Sequence, residues 1–129
     1  VIVIDTSAII ALALSEPESD AFDILIANSA SLMLPTSSYV ECVMVMRRRG
    51  KARAWLDDFI ASEDIDLFGS DARQAHLAAD AFERYGRGSK HRARLNFGDC
   101  LVYAAAKALD APLLFKGDDF RATDIVAAL

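Results

Sequence analysis

The chain has 129 residues, 53% hydrophobic and 26% charged. That balance suits a single globular domain spanning residues 1–129 and excludes a disordered chain. No apolar run reaches the ~18 residues of a membrane helix, so no membrane partner is expected. Net charge is −5, yet ten of the 14 Lys and Arg residues fall in two acid-free stretches, "RRRGKAR" (47–53) and "RYGRGSKHRAR" (84–94). Such segregation can set up a local positive field on an acidic protein.

In chain order, "VIVI" reads as a buried strand, and Thr6 to Leu14 as a helix stopped at "SEPES". Apolar spacing predicts a second helix over Glu18 to Asn28. "SLML" is a short strand. Pro35 and Thr36 start a helix that runs to about Arg49, where Gly50 stops it. This helix is apolar nearly all round and is expected to be buried. Ala52 to Ala61 is helical around Trp55, Leu56 and Phe59. "IDLF" is a strand, and Ser70 or Asp71 caps a long helix ending at Tyr85. The basic stretch then forms a loop, followed by a helix from Phe97 to Leu109, the strand "PLLF" and the loop "KGDDF". The final "TDIVAAL" is a short strand or a tail. Strands alternating with helices specify an α/β fold, a mainly parallel sheet covered on both faces.

Three apolar elements each carry one acid: Asp5 after the first strand, Glu41 in "SSYVECVM", and Asp99 in "LNFGDCLVY". Singly, each has a structural explanation. Asp5 suits a helix N-cap, Asp99 a first helical turn, and Glu41 a rim. Together they fit the rule that functional groups gather at the carboxyl ends of strands in open α/β sheets. Carboxylates sharing a pocket repel, and a hard divalent cation such as Mg²⁺ or Mn²⁺ relieves the repulsion through oxygen ligands. Carboxylate-held Mg²⁺ chiefly serves phosphoryl chemistry. Cys42 and Cys100 have neither disulfide nor zinc spacing and read as packed apolar residues. His76 and His91 are not needed where a metal activates water. With no export signal legible, a reducing cytoplasm is the expected compartment.

The blocks "VIDTSAI", "YVEC", "LNFGDCLVYAAAK" and "LLFKGDDFRATDI" resemble, in order and spacing, the PIN-domain signature, and most closely that of VapC-type toxins. The resemblance implies a three-layer α/β sandwich and a Mg²⁺- or Mn²⁺-dependent endoribonuclease. It also implies a homodimer and a cognate VapB-type antitoxin that can send an Arg into the acidic site. By position, Asp5, Glu41 and Asp99 match the family's first three acids. Thr6 or Ser7 matches the hydroxyl that helps hold the metal or its water. Asp118 is preferred over Asp119 as the fourth acid because it leaves the strand sooner; Asp119 then caps the next turn. Asn96 either caps its helix or positions a carboxylate or the substrate. Arg87, Lys90, Arg92 and Arg94 directly precede Asp99 and are expected to bind RNA phosphates. The rival readings are a PIN-like RNA-binding module without catalysis, a nuclease acting on DNA, and a receiver-like signalling domain. The last usually carries two adjacent acids after its first strand, where Thr6 and Ser7 stand here.

Overall fold

In a computed structural model describing residues 1–129, the aliphatic opening forms strand β1 (Ile2–Ile4) at the interior of a sheet. Its alternation decides the layering. Val3 points into one core and Ile4 into another, as the period of two in a strand requires. Helices α1 (Thr6–Ala13) and α2 (Ser19–Ala27) lead to β2 (Leu32–Pro35), and α3 (Thr36–Arg48) and α4 (Arg53–Ser62) lead to β3 (Ile65–Phe68). All four helices pack on the Ile4 face, against Leu32, Leu34, Ile65 and Leu114. Helices α5 (Ala72–Tyr85) and α6 (Phe97–Leu109) then cross the Val3 face and deliver β4 (Leu113–Leu114) to the other side of β1. The four strands are parallel in the order β3-β2-β1-β4. The result is the expected three-layer sandwich. Ile4, Leu34, Leu56 and Leu114 are sealed from solvent, each contributing roughly 1.5–3 kcal/mol of burial.

This topology sets the position of the site. From β1 the chain steps to β2 over one face, whereas β4 arrives over the other. The carboxyl ends of β1 and β4 therefore flank a topological switch point, where open α/β sheets leave a crevice. Helix α6 packs over β1 and β2 and leads into the start of β4, so its N-terminus lies at that same carboxyl end.

Two sequence expectations need correction or refinement. Helix α3 is not buried all round: Cys42 and Met46 face the core, but Val40 and Met44, four residues apart, are more than half exposed. An apolar stripe that continues round a helix need not be covered by its own chain. The C-terminal "TDIVAAL" is a tail with one bridge rather than a strand. Leu113 N–H donates to the Val126 carbonyl and Ala128 N–H to the Leu113 carbonyl, both at 2.9 Å. Asp124 anchors the tail by accepting from the Tyr103 hydroxyl at 2.7 Å and from Lys107 Nζ at 2.9 Å.

The basic loop is closed at its neck. Leu95 N–H donates to the Tyr85 carbonyl and Arg87 N–H to the Leu95 carbonyl, at 2.9 and 3.1 Å. Inside the loop Ser89 Oγ donates to the Gly86 carbonyl at 2.6 Å, and the His91 ring meets Tyr85 edge-on. These staples hold Lys90 and Arg94 in the left-handed region, at φ 66° and 52°, where non-glycine residues are uncommon. Gly86 is required for space rather than for its dihedrals. A Cβ there would run into the Phe82 ring and stand 2.5 Å from the Phe82 carbonyl oxygen. Gly86→Ala is expected to cost about 1–3 kcal/mol, the usual range for overpacking, measured by chemical denaturation. An unchanged midpoint would mean that Phe82 and the neck give way freely.

Candidate active site

Asp5 leaves β1 in extended conformation and caps α1. Its Oδ2 accepts from Ser7 N at 3.0 Å and from Ser7 Oγ at 2.5 Å. Ser7 Oγ in turn accepts from Lys116 N at 2.9 Å. One hydroxyl thus ties the exit of β1 to the exit of β4. Lys116 is fixed from the far side too, its ammonium pairing with Glu16 and Glu18 at 3.2 and 3.0 Å. Burial pushes the Asp5 carboxyl up to about 6. The Ser7 hydrogen bonds pull it down, and the negative charges of Asp99 and Glu41 push it further up.

Asp99 sits in the first turn of α6 within a capping box. Its N–H donates to Asn96 Oδ1 at 2.8 Å, and its Oδ2 accepts from Asn96 N at 3.0 Å. Both readings offered for Asn96 describe one arrangement, because the cap that starts the helix also orients the Asp99 carboxylate. Burial raises Asp99; the Asn96 hydrogen bond and, more weakly, Arg87 lower it, while Asp119 and Glu41 raise it. Glu41 comes from the second turn of α3 and reaches the start of α6. A Cβ on Gly98 would fall 2.9 Å from Glu41 Oε2, so glycine is what admits this third carboxylate. The N-terminal end of α6 favours the negative charge gathered there.

The loop after β4 separates its two acids. Gly117, at φ +98°, turns the chain, and the 3-10 turn Phe120–Ala122 follows. Asp119 faces the cleft lined by Arg87, Gly88, Lys90, His91, Arg92 and Arg94, and its charge reaches Asp99. Asp118 does not line that cleft and borders neighbouring depressions, shared with Glu18 and Lys116 and with Arg92 and Arg121. Asp119 does not cap the turn that follows it through its side chain.

The oxygens gathered here suit a hard cation. In this arrangement no three carboxylate, His or Cys groups come close enough together to hold an ion. The Thr6 hydroxyl is buried beside the Cys42 thiol and makes no hydrogen bond to Asp5. Ser7, the other hydroxyl named from the sequence, is already committed to Asp5 and Lys116. Cys42, buried beside Thr6, is pushed up to about 12 chiefly by burial and stays a neutral packing residue.

The second basic stretch lies beside Asp119, and the charge of its Arg87 reaches Asp99. The side chains of Arg87, Lys90, Arg92 and Arg94 are exposed and take part in no ion pair within 4.0 Å. His91 Nδ1 accepts from Ala93 N at 3.0 Å, which fixes that ring nitrogen as an acceptor. The first basic stretch behaves as a helix end. Arg47, Arg48 and Arg49 are solvated, and Arg53 stacks on Tyr39 and pairs with Asp57. The sequence gives no warning of Phe97. It lies in an otherwise apolar block and is 80% exposed.

Comparison with known proteins agrees with this fold. The PIN domain family model matches residues 2–126. A ribonuclease VapC of Mycolicibacterium smegmatis is 41% identical over 127 residues, covering 97% of this chain and 98% of the relative. Ribonuclease VapC30 of Mycobacterium tuberculosis is 40% identical over 125 residues, covering 95% of each. Among solved structures, Mycobacterium tuberculosis VapC20, described as a sarcin-ricin loop cleaving toxin, superposes with a TM-score of 0.76 at 21% identity over 98% of this chain and 97% of that one. A toxin–antitoxin complex from Klebsiella pneumoniae gives a TM-score of 0.74 at 14% identity, covering 100% of this chain and 98% of that one. With a parallel sheet, acids at its switch point and relatives matched over nearly their whole length, the chain belongs to the VapC ribonucleases of the PIN-domain family.

Proposed function

We propose that this chain is a Mg²⁺- or Mn²⁺-dependent endoribonuclease toxin. The observation that carries the reading is the convergence of acids from four separate segments on one end of the sheet, with Asp5 buried there. Burial and like charge hold Asp5 at about 6, a cost that a cation in the same pocket would remove. Asp5, Glu41 and Asp99 are the proposed ligands, joined by Asp119 in place of Asp118. When bound, the divalent ion supplies positive charge at the scissile phosphate and lowers the pKa of water. The chain's own groups do the positioning. Ser7 fixes Asp5 and Asn96 fixes Asp99. Arg87, Lys90, Arg92 and Arg94 hold RNA phosphates beside the acids and offset their repulsion of the strand.

A cognate VapB-type antitoxin is the proposed inhibitor, with an Arg suited to the carboxylates through its bidentate fork. A homodimer is the proposed working unit, and the exposed Val40 and Met44 on α3 supply apolar surface for a protein contact.

The test is incubation with total RNA, with and without Mg²⁺ or Mn²⁺, beside a Lys90→Ala, Arg92→Ala double variant. Cleavage is expected only with the ion. The double variant should bind RNA more weakly, its salt dependence flatter by ~0.7 log units for each phosphate left without its cation, while metal-induced stabilisation survives. RNA bound but never cut would instead favour a non-catalytic module. An unchanged salt slope would make the loop a merely solvated surface.

A further inference from the structure

Phe97 is the most exposed large apolar side chain in the molecule, at 80%. Nothing about its setting is loose. It is the first residue of α6, held between Asn96 and Asp99 by their reciprocal capping bonds. Gly98, next in sequence, is pressed against Glu41. The ring is therefore mounted on a fixed backbone beside the acids, and its exposure forgoes the stabilisation that burial would return.

Its neighbours are apolar. Phe97 forms the lip of a groove between α5 and α6 whose lining includes Ala75, Ala79, Phe82 and Leu101 and no polar residue. Phe82 is half exposed and lies against Gly86. Gly86 and Leu95 are paired at the neck of the basic loop. Phe82 of the groove thus lies against the neck of the loop whose residues line the cationic cleft with Asp119. On α6, Phe97 and Asp99 are two residues apart, about 200° round the helix axis. Ring and carboxylate leave the same helix end in different directions.

From this arrangement we infer that Phe97 is a stacking platform for a nucleobase of the RNA strand being cut, turned away from the backbone as its phosphate passes the acids. The inference rests on the ribonuclease reading above. The chemistry fits on three counts. A strand crossing the acids places its phosphates on the cations and must direct its bases elsewhere. Single-stranded RNA is recognised by splaying bases onto aromatic side chains. A groove without polar groups accepts the π-face of any base, so the contact positions the strand without selecting its sequence. Phe97 is accordingly a positioning residue whose removal weakens RNA binding without disturbing the acids.

The experiment uses the full chain in an Asp99→Asn background, so that RNA is bound but not consumed. The probe is a single-stranded oligonucleotide carrying 5-iodouridine at successive positions. Photocrosslinking followed by peptide mapping should place one position on Phe97. Phe97→Ala should weaken binding roughly tenfold, within the range seen for loss of one base–aromatic stack. Phe97→Trp should restore it and Phe97→Leu should not, with salt slopes unchanged in all three because every phosphate keeps its cation. Sedimentation should show the same oligomeric state throughout. Equal binding by the Ala, Leu and wild-type side chains overturns the inference while leaving the ribonuclease reading intact. A shift in oligomeric state with Phe97→Ala also overturns it, assigning the groove to a second copy of the chain. Failure of the parent protein to bind RNA at all sinks both readings.

Discussion

Asp5→Asn is expected to raise the melting temperature at pH 7 in the absence of divalent ions while abolishing cleavage. The Asp5 carboxyl stands at about 6 against an ordinary 3.8. The folded state therefore binds a proton there over a pH range in which the unfolded state has already released it. Stability follows the difference in bound protons. The Asp5 contribution is fully present below about pH 4, is lost as pH rises through 6, and leaves a cost of about 3 kcal/mol at pH 7. Asparagine removes the charge but keeps an oxygen to accept from the Ser7 N–H, and it is as good an N-cap as aspartate. For a chain of this size the gain amounts to roughly 10 °C at most. The comparison is differential: melting temperatures of parent and variant are taken from pH 4.5 to 7.5, and the gap should open as pH rises. Added Mg²⁺ or Mn²⁺ should then reverse the order, stabilising the parent by mass action and the variant hardly at all. Parallel curves, or equal metal responses, would contradict a shared site built on Asp5.

Much of this site is legible in the sequence because it is made of exceptions. Asp5, Glu41 and Asp99 are lone charges in apolar segments, and burial makes such residues costly unless they are used. The strands are equally plain, since Val3 and Ile4 alternate between two cores and β-branched residues favour the pleated surface. What the sequence does not convey are the contacts between distant segments. Ser7 is spent on Asp5 and on Lys116, 109 positions away. Gly98 looks like an ordinary helical glycine until Glu41 is seen against it. Phe97 and the Val40–Met44 stripe mislead for a related reason. Hydrophobic pattern reports a preference for burial, and says nothing of whether the chain itself provides the cover.

The two adjacent acids of "KGDDF" mark the sharpest limit, and they yield the second large effect. Asp118 comes first off β4 and is the natural choice from sequence order. The left-handed Gly117 and the 3-10 turn at Phe120 turn the chain here, and Asp119 lines the cationic cleft while Asp118 borders depressions with Lys116 and Arg121. The charge that reaches Asp99 from this loop is that of Asp119. Asp119→Asn is therefore expected to cut the cleavage rate by about 100-fold or more, since even outer partners of a metal site change affinity or activity 10–100-fold. It should also raise the Mn²⁺ concentration needed for half-maximal rate. Removing one repulsive neighbour lets Asp99 ionise at lower pH, so the acid limb of the remaining activity should shift downward. Asp118→Asn should retain near-parental cleavage, the parental metal midpoint and the parental pH profile. Both residues are exposed, so neither variant should fail to fold, and melting curves will verify it. Should Asp118→Asn prove the inactive one, the fourth acid is the residue nearest the strand after all, and the loop must swing Asp118 inward when the ion and the RNA bind.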